Sequence, residues 1–225
     1  MQQLPLNFLD QTQQFESEDF IVSAANIHAY QHVKLWPNWG EKRFDRILIL
    51  YGKPACGKTH LAHIWQEDSK ALILRREEIN QPDFADLITN TQCYIIDSVT
   101  DLLEENFFHL LNLLMERQKF LLILSECPPQ QLDIKLPDLR SRLNAVPVVE
   151  ILPPDLELLH IILAKNFSDR QLQVKPEVIT YLLKHSERSF KAINHLVTII
   201  DQYSLQNKRN ITIPLVKTIL AACIN

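Results

Sequence analysis

Glycine is scarce in this sequence, and long apolar runs are missing from it. Only three of the 225 residues are glycine, at positions 40, 52 and 57. No apolar run approaches the roughly 20 residues of a membrane-spanning helix, and the N-terminus lacks the basic and then apolar pattern of a signal peptide. We therefore expect a cytoplasmic protein that makes no membrane contact.

A surplus of positive charge is also absent. Lysine and arginine number 23 against 27 aspartate and glutamate residues, which gives a net charge of −4. Proteins that attract nucleic acid through their overall field are basic, so any DNA contact is expected to be local or made through a partner. The four cysteines are widely scattered and indicate reduced thiols, not a disulfide framework.

Two of the three glycines lie in the segment 52–59, which reads GKPACGKT. It matches the phosphate-binding loop pattern G-x-x-x-x-G-K-[ST] and follows the apolar run Ile47–Tyr51. In such a loop, backbone N–H groups and a helix N-terminus surround the phosphates, the lysine reaches the outer phosphates, and the threonine hydroxyl binds Mg²⁺. We therefore predict that ADP or ATP binds with Mg²⁺ to this loop, through Gly52, Lys53, Pro54, Ala55, Cys56, Gly57, Lys58 and Thr59.

Short apolar runs alternate with helical segments over residues 47–151. The runs are Ile47–Tyr51, Ala71–Leu74, Cys93–Asp97, Phe120–Ser125 and Pro147–Ile151. Runs of this kind are typical of strands covered on both faces, so they predict a parallel sheet with crossover helices. The clearest helix lies between the third and fourth runs, and its predicted apolar stripe is Leu103, Phe107, Leu110 and Leu114.

Pro153-Pro154-Asp155 ends this alternation, and Asp155 is a good N-cap for a following helix. Only helical patterns come after it, over about 155–168, 176–186, 189–204 and 213–222. A further helix is expected over 23–35. The chain therefore divides into a flexible N-terminal tail (1–19), an α/β domain (20–152) and a small helical lid domain (153–225).

The third apolar run ends in a carboxylate, Asp97. In phosphate-loop proteins an aspartate at this place shares the Mg²⁺ with the loop threonine, here Thr59. Rapidly hydrolysing ATPases usually carry a second carboxylate at the next position, where this chain has Ser98, and a hydroxyl is a poor base because it stays protonated near neutral pH. We expect tight nucleotide binding with weak or no intrinsic hydrolysis, which leaves open whether the chain is itself an enzyme.

Several segments together resemble the AAA+ module of the DnaA-type family of bacterial replication proteins. They are the loop with its trailing His60-Leu61, the strand ending at Asp97, and residues 136–143, which read LPDLRSRL. Residues 211–217 and 3–6 resemble more closely the Hda regulators of that family, which switch the initiator off. The resemblance covers essentially the whole chain and implies a three-layer α/β domain with a central parallel five-stranded sheet, plus a small C-terminal helical lid domain.

The resemblance also implies roles for single residues. Arg142 matches the arginine finger, which contacts the γ-phosphate held by a neighbouring subunit. Glu126 matches an acidic sensor position, and Lys191 lies where the lid normally presents a sensing arginine, with Arg188 as the alternative. The segment and helix that close over the base and ribose correspond to Phe20, Ile21, Val22 and Asn26, and His60 joins this set from the end of the loop.

The first residues resemble the short peptides that insert into the groove of the replicative sliding clamp. In QLPLNF, residues 3–8, Gln3 offers an amide for hydrogen bonds, Leu4 and Leu6 are aliphatic anchors beside Pro5, and Phe8 suits a deeper pocket. The implied partners are therefore the clamp and the DnaA initiator. Sequence-specific DNA binding is not expected, because no helix-turn-helix pattern follows the lid before Asn225.

The favoured interpretation is a nucleotide-bound regulator of replication initiation. It would bind the sliding clamp and promote ATP hydrolysis by DnaA through Arg142. A self-sufficient AAA+ ATPase, such as a helicase loader or DNA remodeller, is the alternative, and a phosphate-loop kinase is a third reading. Homo-oligomer formation is left open.

Overall fold

The computed structural model describes residues 20–40, 42, 44–88, 90–207 and 210–223. A five-stranded parallel sheet forms its centre, in the strand order β2-β3-β4-β1-β5. In chain order the strands are β1 (Ile47–Tyr51), β2 (Leu72–Leu74), β3 (Cys93–Ile96), β4 (Phe120–Ser125) and β5 (Val148–Glu150). Each of the five apolar runs forms one strand, so the predicted sheet is confirmed, with three strands one or two residues shorter than their runs.

Five helices accompany the sheet and cover both of its faces. They are α1 (Ile27–Lys34), α2 (Lys58–Ser69), α3 (Arg76–Ile79), α4 (Glu104–Glu116) and α5 (Pro137–Ala145). Ile47 and Ile49 of β1 pack with α4 and α5 in one buried cluster. Leu48 and Leu50 pack with α1 and α2 in another. Successive residues of a strand point to opposite faces, so the central strands are covered on both sides, as a three-layer domain requires.

Two expectations about apolar positions are wrong. Leu103 does not belong to the apolar stripe of α4: its backbone is extended, the helix begins at the next residue, and its side chain is 54% exposed. The stripe instead begins at Phe107. The edge strand β2 is also not covered on both faces, since Leu72 and Ile73 are 44% and 40% exposed.

The helix expected over 23–35 is shorter than predicted. It begins only at Ile27 because the residues before it form a turn held by Asn26. The side-chain oxygen of Asn26 accepts a hydrogen bond from the Ser23 N–H, and its amide donates to the Ile21 carbonyl. We call residues 20–26 the strap. The strap is attached to the end of the sheet, since the Leu152 N–H donates to the Ala25 carbonyl at 3.0 Å.

Four helices form the lid. They are α6 (Leu156–Asp169), α7 (Pro176–His185), α8 (Phe190–Asn207) and α9 (Ile213–Cys223), each within about three residues of its predicted bounds at either end. Asp155 is the N-cap of α6, because its carboxylate accepts a hydrogen bond from the Leu158 N–H at 2.7 Å. The lid has its own buried core, which includes Leu163, Phe167 and Val197. Among the described residues, no helix combines the length and apolar character needed to cross a membrane.

Candidate nucleotide-binding site

The phosphate loop joins β1 to α2 at the carboxyl end of the sheet. Two of its residues have positive φ, Ala55 at 58° and Gly57 at 104°. Gly57 is the N-cap of α2, and a residue with a side chain rarely adopts its φ value. The loop therefore turns sharply enough to direct the free N–H groups of the α2 N-terminus toward whatever the loop encloses.

Gly52 is a glycine because there is no room for a side chain. A Cβ atom at this position would lie far inside van der Waals contact with the backbone carbonyl oxygen of Ile151, and only 2.8 Å from Sγ of Cys56. The Gly52 N–H donates to the Ser125 carbonyl at 3.2 Å. The first residue of the loop is thus packed between the ends of β4 and β5.

The Lys58 ammonium group lies within the loop. It donates hydrogen bonds to the carbonyl oxygens of Gly52 at 2.6 Å and Lys53 at 3.0 Å. Its nitrogen is also 3.9 Å from Sγ of Cys56, which is buried. Burial raises the pKa of the Cys56 thiol, and the nearby Lys58 charge offsets this only in part. The thiol is therefore neutral at physiological pH, which suits a residue that fills space in the loop.

Thr59 and Asp97, the two predicted Mg²⁺ ligands, lie next to each other. The Thr59 hydroxyl is 3.4 Å from a carboxylate oxygen of Asp97, directly after β3. Hydroxyl and carboxylate oxygens are the hard ligands that Mg²⁺ prefers, so the residues present fit this ion. Ser98 follows, and its hydroxyl accepts a hydrogen bond from the Thr100 N–H. The carboxylate of Asp101 is paired with Arg76 at 3.1 Å.

An aromatic group lies beside the loop. The Phe20 ring of the strap stacks on Tyr30 of α1, with centroids 5.7 Å apart, and meets the His60 ring of α2 edge-on at 5.2 Å. Ile21 is half-buried and Val22 is exposed. Flat ring faces of this kind suit the stacking of a purine.

The lid approaches the same loop through Phe190. The position that a Cβ of Gly57 would occupy is 3.6 Å from the Phe190 ring of α8 and 3.9 Å from the Phe20 ring. Lys191, the next residue of α8, is exposed, whereas Arg188 lines a groove between α6 and α7. Phe190 was missed by sequence reasoning, because an aromatic residue at a helix start carries no signal of the loop it will touch.

Arg142 is carried by α5, which packs on the opposite face of the sheet from α2. It belongs to the last turn of α5, and its guanidinium carbon is 4.8 Å from the centre of the Phe108 ring. No carboxylate within the described part of the chain pairs with Arg142. Glu126 follows β4 and is exposed. The clamp-like segment, with Gln3, Leu4, Pro5, Leu6 and Phe8, lies outside the described residues.

Glu104 fixes the start of α5. Its carboxylate accepts hydrogen bonds from the backbone N–H groups of Lys135 at 2.9 Å and Leu136 at 2.6 Å. These two donors lower the pKa of the Glu104 carboxyl. Arg140 additionally donates to the Ile134 carbonyl. The helix that carries Arg142 is therefore held at its beginning by charge-assisted hydrogen bonds.

Comparison with known proteins identifies the relatives of this arrangement. Residues 158–220 match the family model described as "Hda, lid domain". The chain is 26% identical to the chromosomal replication initiator protein DnaA of Cutibacterium acnes, over 90% of this chain and 45% of that protein. It therefore spans about half the length of the curated relative it matches.

Solved structures agree with this relationship. Domain III of the Thermotoga maritima replication initiation protein DnaA superposes with a TM-score of 0.78 at 19% identity, over 97% of this chain and 98% of that one. AMPPCP-bound DnaA from Aquifex aeolicus gives 0.69 at 25% identity, over 86% and 66%. The expected AAA+ fold with a C-terminal lid is confirmed.

Proposed function

We propose that this chain, an Hda-like, DnaA-homologous AAA+ protein, binds ADP or ATP with Mg²⁺ and regulates the initiation of DNA replication. The observation that carries nucleotide binding is the pairing of Thr59 with Asp97 at the mouth of the phosphate loop. The AMPPCP bound in the Aquifex aeolicus relative supports the same assignment.

Each part of the nucleotide has a candidate partner. The N–H groups of the loop and the Lys58 ammonium would bind the phosphates, because the ammonium lies within the loop and the N-terminus of a helix favours anions. Thr59 and Asp97 would hold Mg²⁺, which neutralises phosphate charge. The rings of Phe20 and His60 would border the base. Asn26 would support the base-binding side of the site indirectly, because its side-chain amide forms the hydrogen bonds that hold the strap.

Slow hydrolysis of the bound nucleotide follows from the residues after β3. A general base must accept a proton from the attacking water, but Ser98 has only a hydroxyl, and the nearby Asp101 carboxylate is paired with Arg76. We therefore propose that the nucleotide acts as a structural brace between the α/β domain and the lid. Its exchange between ADP and ATP would alter the lid position more than it would drive turnover.

Arg142 is the residue that we propose to act on a partner. A guanidinium stacked on one aromatic face keeps its N–H groups free at its edges, and Arg142 has no carboxylate partner among the described residues. Placed against ATP held by DnaA, it would offset the negative charge that develops during phosphoryl transfer. Gln3, Leu4, Pro5, Leu6 and Phe8 would keep the protein on the sliding clamp meanwhile.

The proposal is tested by measuring ATP hydrolysis by DnaA in the presence of this protein and clamp loaded on DNA. We expect Arg142→Ala to lose about 10³-fold or more of the stimulation, within the usual range for an arginine finger, while nucleotide affinity and clamp capture stay unchanged. The matched control is Arg46→Ala, because Arg46 stacks on Phe120 at 4.9 Å in the same way. Equal stimulation by Arg142→Ala and Arg46→Ala would refute the role of Arg142.

Two further measurements distinguish this regulator from a self-sufficient ATPase. A Gln3→Ala, Leu4→Ala variant should lose capture by immobilised clamp while keeping nucleotide binding. Steady-state hydrolysis by the protein alone should stay far below the roughly 1–10³ s⁻¹ that is typical of enzymes. Rapid turnover without DnaA, together with no clamp capture by the unaltered chain, would overturn the regulator in favour of an independent ATPase.

A further inference from the structure

A groove with an apolar floor lies on the lid between α6 and α7. Its volume is about 520 Å³, and its apolar lining includes Leu156, Ile161 and Leu183. Leu156 and Ile161 are 47% and 45% exposed. Two neighbouring aliphatic side chains left this open favour a segment that covers them, because burial of apolar surface lowers the free energy.

The rim of this lid groove is mainly positive. Lys184 and Arg188 line it against one carboxylate, Glu157, and the His160 ring lies beside them. Within the described ranges of the chain, neither Lys184 nor Arg188 forms an ion pair. A segment that fits this surface therefore combines aliphatic or aromatic side chains with carboxylates.

The described chain begins with the strap, which is attached to segments that lead into the helices of the groove. Ala25 of the strap is hydrogen-bonded to Leu152, which lies four residues before Leu156. The Phe20 and Phe190 rings both approach Gly57, and Phe190 lies two residues after Arg188. Nineteen extended residues can span on the order of 60 Å, which gives residues 1–19 enough length to reach the groove and lie along it.

The composition of residues 1–19 matches the groove. They contain no lysine, arginine or histidine, but they contain four carboxylates, at Asp10, Glu16, Glu18 and Asp19. Within this stretch, residues 4–19 carry five large apolar side chains, Leu4, Leu6, Phe8, Leu9 and Phe15. The segment therefore offers carboxylates for the positive rim of the groove and apolar side chains for its floor.

We propose that the N-terminal segment 4–19 docks into the lid groove of the same molecule. Its apolar side chains cover Leu156 and Ile161, and its carboxylates pair with Lys184 and Arg188. The consequence for the clamp rests on the proposed function: a docked segment withholds residues 3–8, so clamp binding requires its release from the lid.

Zero-length carbodiimide cross-linking of the full chain tests the docking without any partner. The reagent joins a carboxylate to an amine only where the two are in contact. We expect an amide between Lys184 and one of Asp10, Glu16, Glu18 or Asp19, found by mass spectrometry in the monomer fraction. Lys175, an exposed lysine outside the groove, is the internal control. Equal yields at Lys184 and Lys175, or no Lys184 product, would overturn the proposal.

Isotope mixing distinguishes docking within one molecule from docking onto a second copy of the chain. An equal mixture of ¹⁵N-labelled and unlabelled protein should give Lys184 cross-links of uniform labelling only. Cross-linked peptides of mixed labelling would assign the groove to a neighbouring molecule and refute intramolecular docking. Ile161→Ser should lower the Lys184 yield several-fold, because it removes an exposed apolar contact and leaves the buried lid core intact.

Clamp capture provides the second readout. Lys184→Glu, Arg188→Glu should bind clamp roughly three- to tenfold more tightly than the unaltered chain, since the competing docked state is lost. The matched control, Arg170→Glu, Lys175→Glu, reverses two lid charges outside the groove and should not change the affinity. If Lys184 is cross-linked but no variant binds clamp, docking is supported, and only the assignment of residues 3–8 as a clamp-binding segment is contradicted. Equal clamp affinities of the two double variants would contradict the competition between docking and clamp binding.

Discussion

Replacement of Gly52 tests whether the start of the phosphate loop is packed as the structure has it. An added Cβ meets the backbone carbonyl of Ile151, which cannot rotate away, and Sγ of Cys56 at 2.8 Å. Overpacking of this kind costs about 1–3 kcal/mol. For a chain of this length each kcal/mol lowers the melting temperature by roughly 2–4 °C, so Gly52→Ala should melt several degrees below the unaltered protein.

Gly57 requires glycine for a different reason, and the difference can be measured. The nearest atom to an added Cβ is 3.6 Å away, but φ is 104°, so the penalty is backbone strain, of about 1–3 kcal/mol. Asparagine tolerates positive φ better than alanine does. Gly57→Asn should therefore be more stable than Gly57→Ala, whereas Gly52→Asn should be less stable than Gly52→Ala, because a larger side chain worsens the clash.

Thermal unfolding followed by circular dichroism, with titration calorimetry for ADP and Mg²⁺, measures both effects. Gly52→Ala should also bind ADP at least about tenfold more weakly, because the loop must move to relieve the clash. The control is Gly40→Ala, whose added Cβ would meet the Asp45 side chain first, outside the loop. This variant should lose stability and keep its ADP affinity. A Gly52→Ala protein that melts within about 1 °C of the unaltered chain and binds ADP equally well would refute the packing described for Gly52.

Two further predictions concern carboxylates. Asp97→Asn should abolish the gain in ADP affinity that Mg²⁺ provides, measured by calorimetry with Mg²⁺ and with EDTA. Asp101→Asn should keep this gain, because the Asp101 carboxylate pairs with Arg76. An unchanged gain in Asp97→Asn would exclude Asp97 as a ligand of the ion. Backbone donors lower the pKa of Glu104 below its ordinary value of 4.5, so its contribution to stability is complete above that pH and is lost as the pH falls through the lower folded pKa. At pH 7, Glu104→Gln should therefore lose about 1 kcal/mol of unfolding free energy and melt a few degrees below the unaltered chain, and this difference in melting temperature should close on acidification. Glu105→Gln, at the next residue, is the control. A difference in melting temperature that does not depend on pH would contradict the role of the Glu104 charge.

The sheet and the loop could be predicted because their signals are local. Ile47–Tyr51 is continuously apolar since β1 has neighbours on both sides and helices on both faces. The phosphate loop shows a fixed spacing of two glycines, a lysine and a threonine, and each is required by the geometry of a single turn. Local patterns of this kind can be recognised without knowledge of the rest of the fold.

The contacts that join distant segments could not be predicted. Nothing in the sequence near Phe190 indicates that its ring approaches Gly57, more than a hundred residues earlier. The stacking of Arg142 on Phe108 likewise depends on how α4 and α5 pack. The prediction for Leu103 was wrong for the converse reason. Its spacing fits the apolar stripe of α4, but the helix begins one residue later, because the start of a helix depends on the loop that precedes it.

The convergence at Gly57 connects the nucleotide with the lid groove. The Phe20 ring of the strap and the Phe190 ring of the lid both approach Gly57 at the N-terminus of α2, and the strap is hydrogen-bonded to Leu152 just before α6. We therefore expect a shift of the loop on nucleotide binding to be passed to these rings, because packed side chains respond by discrete rearrangement. Both rings are adjacent in sequence to the docking elements: Phe20 follows the N-terminal segment, and Phe190 follows Arg188 of the groove rim. The bound nucleotide is thus expected to set the balance between the docked and released segment, and the yield of the Lys184 cross-link should differ between the ADP-bound and ATP-bound protein.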